Sequence, residues 1–164
     1  ENKYHDNFKN YHDTILLVDK GKKHMSSTLG HSLMNHHSFS KDRLIQVEKN
    51  INSLNNALCN GDFDEFIKIT ELEALTLHAM MMTSDPYYLL IKPNTLNIIN
   101  EIWNFRQSTS SKVCFTLDAG ANIHLLYPKN EFRQIQSLIE NNLIQYCQNN
   151  EFINDQVGNG PNKL

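Results

Sequence analysis

Two short apolar runs separated by turn-forming residues constrain this 164-residue chain more than any other feature. The first run, 113–117, reads Val-Cys-Phe-Thr-Leu, and the second, 123–127, reads Ile-His-Leu-Leu-Tyr. Both are rich in apolar, β-branched and aromatic residues, whereas the intervening Asp-Ala-Gly-Ala-Asn has the composition of a turn. The pattern predicts two strands joined by a tight loop, with Asp118 where the first strand delivers its side chain to the loop rim.

The chemistry of Asp118 has two interpretations when only the residues are considered. A carboxylate on an exposed loop can serve as a base, and Gly120 can adopt positive φ and let another backbone or a phosphate come close. Alternatively, Asp118 forms an Asx turn that caps its own loop, and spacing alone favours this interpretation.

The rest of the chain combines two more strand candidates with a helical middle. Apolar residues at alternating spacings of three and four predict an amphipathic helix, and Asp62 after Asn60-Gly61 predicts the N-cap of a second helix packed against the first. The third helix has a broad apolar face that predicts packing on both sides. In chain order we expect a strand at 14–18, a helix through 29–34, helices at 44–58, 62–82, from 94 to about 105 and at 131–146, and a weak strand at 152–157.

Strands at the ends and helices in the middle indicate an α+β fold. We expect an antiparallel sheet of about four strands, covered on one face by helices. At this length one domain with a real core is expected, so 1–164 is predicted to be a single domain. The polar first twelve residues, 1–12, resemble a connecting stretch, which suggests a preceding domain outside this chain.

A lysine-rich loop precedes the first predicted helix. Lys20, Lys22 and Lys23 surround Gly21, and Ser26-Ser27 stands where an N-cap would begin a helix. Lysines and the free N–H groups of a first helical turn can hold a phosphate. A solvated loop followed by an ordinary serine cap is the other interpretation, and spacing alone favours it.

Composition excludes several classes of function. A formal charge of −3 with interspersed charges argues against a nucleic-acid partner. The three cysteines lack paired metal or disulfide spacing, which favours core packing and a reducing cytoplasm. No run approaches the roughly 20 apolar residues of a membrane span, so no membrane partner is expected. The spacing of His31 and His36 does not favour a metal site, and we predict none.

Three segments in the same order resemble one enzyme family. Residues 115–122, Phe-Thr-Leu-Asp-Ala-Gly-Ala-Asn, are similar to the Thr-(Phe/Leu)-Asp-Ala-Gly-Pro-Asn segment of diphosphomevalonate decarboxylases in the GHMP kinase superfamily. Residues 22–30 resemble that family's Lys-Lys-x-Val-Ser-Ser-Thr-x-Gly segment. Residues 77–79, Leu-His-Ala, followed by Pro86-Tyr87-Tyr88, resemble its Phe-His-Ala and Pro-Pro-x-x-Tyr segments. Ala121 departs from the family proline, a change that affects turn stiffness but no reacting group.

The resemblance implies that this chain is the C-terminal domain of a two-domain enzyme, with the GHMP kinase C-terminal fold. The family's phosphate loop and its Ser-Gly-Ser-Ala-x-Arg-Ser segment belong to an N-terminal domain and are not found in this sequence. ATP and Mg²⁺ would therefore be bound mainly by that N-terminal domain. The family also implies a homodimer. Because no phosphate loop is found in this sequence, we expect the isolated chain to be inactive.

The implied reaction is the ATP-dependent decarboxylation of 5-diphosphomevalonate to isopentenyl diphosphate, CO₂, ADP and phosphate in isoprenoid biosynthesis. By resemblance Asp118 is the catalytic base or orienter, Ala119 and Gly120 form the substrate loop, and His78 orders the site. In the lysine-rich loop and at the helix start after it, the resemblance points to contacts with ATP from Lys22, Lys23, Ser26 and Ser27. His78 also fits a core histidine. Action on mevalonate or its monophosphate, and a noncatalytic dimerisation module, are the alternatives.

Overall fold

The computed structural model describes residues 4–21, 33–34 and 36–158 of the chain. Within these residues, one four-stranded antiparallel sheet has the strand order β2-β3-β1-β4. The strands are β1 (Tyr11–Leu16), β2 (Cys114–Leu117), β3 (Ile123–Pro128) and β4 (Phe152–Gln156). The helices are α1 (Ser40–Asn60), α2 (Phe63–Met82), α3 (Pro93–Thr109) and α4 (Phe132–Leu138). The predicted α+β fold is confirmed.

Alternation along the strands gives the sheet two unlike faces. On β3, Ile123, Leu125 and Tyr127 are fully buried, because successive side chains point to opposite faces and these three face the helices. His124, between them, points to the other face, where it is half-buried next to Ile15 of β1 in the strand register. We call this second side the open face of the sheet, although α2 covers its end at Tyr11.

The hydrophobic core lies between the sheet and the helices. Helix α3 contributes Ile98, Ile99 and Ile102, each at most 2% exposed. Its Leu96 is 46% exposed, so the prediction that this helix packs on both sides is wrong. Burial of side chains of this size supplies roughly 1.5–3 kcal/mol each, which anchors the helices to the sheet. The remaining core comes mainly from the strands and the segment after β3: Leu16, Val113, Phe115, Ile123, Leu125, Tyr127, Ile135, Ile139 and Leu143.

A buried charged network joins α2 and α3 to the residue before β2. Glu71 of α2 accepts hydrogen bonds from Arg106 at 2.6 and 3.0 Å and from the Trp103 indole N–H at 3.0 Å. Arg106 also donates to the carbonyl oxygen of Val113 at 3.0 Å. Each buried polar group therefore has a partner, which makes its burial tolerable. The network holds α2 alongside the strand that leads to Asp118.

The predicted helical hairpin of α1 and α2 is confirmed. Gly61 ends α1 with φ of 74°, a conformation that suits glycine. Asp62 then accepts hydrogen bonds from the N–H groups of Asp64 and Glu65, both at 3.1 Å, and caps α2. Among the described residues, no helix is both long and apolar enough to cross a lipid bilayer.

Some predicted boundaries differ from the structure. Strand β1 begins at Tyr11 rather than at Thr14, and Phe8 and Tyr11 are buried against the rings of Phe63 and Phe66. The last residues of the predicted 1–12 linker are thus part of the fold, because the two aromatic rings in this otherwise polar stretch pack against α2. The predicted helix over 131–146 is divided: α4 ends at Leu138, followed by a π-helical turn and a 3₁₀ turn.

Candidate active site

The loop between β2 and β3, residues 118–122, turns sharply at its centre. The N–H group of Gly120 donates to the backbone carbonyl oxygen of Asp118 at 2.8 Å. The Asp118 side chain is exposed at the rim, as the sequence predicts, whereas Ala121 is only 6% exposed. The loop therefore presents a carboxylate to solvent while its other end packs into the protein.

A buried histidine holds the Asp118 end of this loop. His78 lies on α2, is 2% exposed, and its Nε2 lies 3.0 Å from the carbonyl oxygen of Asp118. Burial lowers the pKa of His78, with a smaller opposing effect from Asp118. A carbonyl can only accept, so the neutral ring donates from Nε2. His78 thus fixes the backbone of the loop from inside the protein.

A threonine and an asparagine fix the other end of the loop. Thr95, fully buried at the start of α3, donates from Oγ1 to the carbonyl oxygen of Ala121 at 2.7 Å and accepts from the Lys92 N–H at 3.2 Å. The side-chain oxygen of Asn122 accepts from the Asp19 N–H at 2.9 Å. These bonds restrain the end of the loop that contains Ala121.

A cleft of about 230 Å³ lies beside the loop and is lined by charged and small residues. Lys92 Nζ lies 2.5 Å from Asp19 Oδ2, and Lys20 Nζ lies 2.5 Å from Glu151 Oε2. Both lysines are exposed, so they can bind an anion by exchanging these carboxylate partners. The full lining is Asp19, Lys20, Gly21, Leu89, Leu90, Lys92, Ala119, Gly120, Ala121 and Asn122.

An ion pair lies on the open face of the sheet near the loop. His124 Nδ1 of β3 lies 2.9 and 3.1 Å from the two carboxylate oxygens of Asp13 on β1. The hydrogen bond with Asp13 raises the pKa of His124, burial opposes this effect, and the charges of Asp13 and Asp118 raise it further. Asp118 therefore acts electrostatically on His124.

The structure brings together Asp118, Ala119, Gly120 and His78 of the predicted site. Lys22, Lys23, Ser26 and Ser27 lie outside the described residues, so their role stays a prediction. Sequence reasoning missed Lys92 and Asp13, because only the fold brings them close to the loop. It also missed His124, which is near the loop in sequence but whose partner Asp13 is 111 positions away. Lys20 carried a signal, since it belongs to the lysine-rich stretch. Within the described ranges, no group of three or more His, Cys, Asp or Glu residues is arranged to hold a metal ion.

The sequence itself identifies the family. Residues 14–163 match the family Mevalonate 5-diphosphate decarboxylase C-terminal domain. The chain belongs to this family. The match spans nearly all of the chain, so the resemblance inferred from three short segments is confirmed.

The relatives that match this mevalonate 5-diphosphate decarboxylase C-terminal domain are longer proteins than this chain. A phosphomevalonate decarboxylase of Haloferax volcanii is 28% identical over 83 residues, which are 51% of this chain and 26% of that protein. A mevalonate diphosphate decarboxylase structure from Legionella pneumophila has a TM-score of 0.80 and 24% identity, over 93% of this chain and 46% of that one. A complex of MDDEF with MVAPP, AMPPCP and magnesium has a TM-score of 0.77 and 21% identity, over 89% and 43%. The chain spans about a quarter of the curated relative and less than half of these solved chains.

Proposed function

We propose that the full-length protein containing this domain is an ATP-dependent diphosphomevalonate decarboxylase. It would convert 5-diphosphomevalonate to isopentenyl diphosphate, CO₂, ADP and phosphate. The observation that carries this proposal is the exposed Asp118 carboxylate on a loop that His78 and Thr95 hold in place. The same loop borders a cleft that contains Lys20 and Lys92. Membership of the decarboxylase C-terminal family supports it.

In this proposal Asp118 acts on the tertiary 3-hydroxyl group of the substrate. A tertiary alcohol has a very high pKa, so Asp118 accepts the hydroxyl hydrogen bond and takes the proton as the phosphoryl group arrives, rather than before. Phosphoryl transfer depends mainly on positioning and charge stabilisation, which a fixed carboxylate supplies. Loss of the phosphate then drives decarboxylation, and the same carboxylate stabilises positive charge that develops at that carbon.

We place the phosphates of the substrate or of ATP at the cleft beside Gly120. Lysine ammonium groups suit phosphate as point charges. Lys20 and Lys92 pair with Glu151 and Asp19, so a bound phosphate competes with these carboxylates. Most contacts with ATP and Mg²⁺ are assigned to the N-terminal domain, with Lys22, Lys23, Ser26 and Ser27 as further contacts from this chain. The complex of MDDEF with MVAPP, AMPPCP and magnesium supports these ligands.

A second candidate substrate is phosphomevalonate. The Haloferax volcanii relative is a phosphomevalonate decarboxylase, although it matches only 51% of this chain. The two substrates differ in the phosphate chain rather than at the hydroxyl on which Asp118 acts. The proposed role of Asp118 is therefore the same for both. A cytoplasmic location and a homodimeric state stay predictions.

Release of ADP and CO₂ by the full-length protein tests the proposal. We expect both products in equal amounts with diphosphomevalonate, and a lower kcat/KM with phosphomevalonate. The reverse preference would identify the second candidate. ADP without CO₂ would indicate a kinase, and neither product would indicate a noncatalytic module.

A further inference from the structure

The Asp13–His124 pair is placed by strand pairing on the open face of the sheet. His124 lies opposite Ile15 of β1 and Thr116 of β2 in the register, and Asp13 is two residues before Ile15. Side chains two apart on one strand share a face, so Asp13 and His124 meet diagonally across β1 and β3. Thr116 is also two residues before Asp118, which places the loop carboxylate at the end of the same side of β2.

The charges around His124 in the described residues are acidic. Asp13 contacts it from β1, and Asp118 acts on it from the loop after β2. Asp155 of β4 stands opposite Asp13 in the register, one strand further away. The side chains of His124 and Asp13 are 25% and 34% exposed, so their interaction is only partly screened by water. A proton on His124 therefore relieves a concentration of negative charge.

We propose that Asp13 and His124 form a positioning pair for Asp118, in which Asp13 orients the imidazole and the imidazolium offsets the charge of Asp118 as an anionic substrate approaches. This inference rests on the proposed function, since it concerns the same site. The proposed substrate carries a carboxylate and a diphosphate, and the negative charge of Asp118 repels each of them. His124 acts through Asp118 and takes no part in bond making.

The pH dependence of this effect has a defined sign. Asp13 raises the pKa of His124, so the compensating charge is present at low pH and is lost as pH rises through that raised pKa. Substrate binding should therefore weaken toward alkaline pH. Asp13→Asn should move this change to lower pH, because it removes the hydrogen bond that favours the charged imidazole.

Steady-state kinetics of the full-length protein distinguish the charge of residue 124 from its shape. We expect His124→Gln to raise KM for the anionic substrate about fivefold at low pH, the effect of losing one partly screened charge, with little change in kcat. His124→Lys keeps a cation at all working pH values and should hold KM low at alkaline pH. If wild type and both variants share one KM profile, the positioning role is overturned.

A direct titration tests the coupling without relying on turnover. Histidine NMR signals of the full-length protein, assigned through His124→Gln, give the pKa of His124. We expect this pKa to fall in Asp13→Asn and, by a smaller amount, in Asp118→Asn, because both carboxylates favour the charged ring. Asp155→Asn, which removes an exposed acid of the same open face, is the matched control and should change it least.

The kinetics and the titration together distinguish failure of the positioning role from failure of the proposed function. An unchanged pKa of His124 in Asp118→Asn would overturn the inference even if the enzyme decarboxylates normally. Absence of turnover in wild type would overturn the proposed function and the positioning role with it, whatever the titration shows. Normal turnover with a KM that follows the charge of residue 124 supports both.

Discussion

Two histidines interact with the Asp118 loop, and their surroundings differ. His78 is buried on α2, contacts the loop backbone, and has its pKa lowered by burial. His124 is half-buried on β3, bonds to Asp13, and has its pKa raised by that bond. The difference shows that burial on α2 favours the neutral form of one histidine, whereas a carboxylate partner favours the charged form of the other.

The loop is thus built with a fixed inner side and a charged outer side. Its backbone is bonded to buried groups of α2 and α3, while its carboxylate faces solvent. Substitutions on the inner side should change stability first, and substitutions on the outer side should change function first. The following predictions test this division, beginning with the largest effect.

Asp118→Asn should reduce kcat about 100-fold or more while leaving the fold intact. The amide keeps the shape of the side chain but loses the charge that accepts the hydroxyl proton, and general base catalysis commonly contributes at least this factor. The measurement is CO₂ release by the full-length protein. Asp155→Asn, an exposed acid on β4, is the control, and near-normal turnover in Asp118→Asn would refute the catalytic role.

His78→Ala should lower the free energy of unfolding by about 2–3 kcal/mol, because it leaves a cavity and removes a bond to the loop carbonyl. Urea unfolding of the chain measures this loss. His36→Gln alters an exposed histidine and should change it by less than about 0.5 kcal/mol. A loss in His78→Ala no larger than in His36→Gln would contradict the assignment of His78 to the fixed side.

Thr95→Val should cost about 1–2 kcal/mol, because the Lys92 N–H and the Ala121 carbonyl oxygen each lose a buried partner. The shape of the side chain is kept, so the loss reports the hydrogen bonds. Thr109→Val, at an exposed helix end, is the control. Urea midpoints compare the variants, and equal midpoints would show that Thr95 does not hold the loop.

The smallest expected effect is an opposite pH dependence of stability for the two histidines. The pKa of His124 is raised in the folded protein, so its contribution to the free energy of unfolding is complete below about pH 6.5, the pKa in the unfolded chain. That contribution is lost as pH rises through the pKa of His124 in the folded protein. The pKa of His78 is lowered in the folded protein, so its contribution to the free energy of unfolding is present above about pH 6.5 and is lost as pH falls through the pKa of His78 in the folded protein.

Urea unfolding across this pH range measures both contributions. The gap between wild type and His124→Gln should widen as pH falls, whereas the gap between wild type and His78→Ala should narrow. Two gaps that change in the same direction would remove the contrast between the two histidines.

The sequence patterns predicted β2, β3 and β4 to within one residue at each end, whereas several ends of β1 and of the helices differ: α1 begins at 40 rather than at 44, and α4 ends at 138 rather than at 146. The period of apolar residues and the Gly61-Asp62 stop and cap are local signals, so the α1–α2 hairpin is predicted correctly. Strand β1 begins earlier than predicted, because Tyr11 is held by rings of α2 that are distant in sequence. The division after Leu138 has no comparable signal in the residue pattern.

The sequence by itself determined the fold class, the family and the position of Asp118 on a tight loop. These depend on local composition, on apolar period and on short motifs, which a chain carries before it folds. Only the tertiary structure decided that His78 bonds to the loop backbone, that Lys92 reaches the cleft and that Asp13 meets His124. His78 is 40 positions from Asp118, and Asp13 is 111 positions from His124. Lys92 is 27 positions from Ala119, which lines the same cleft. Strand register and helix packing bring these residues together.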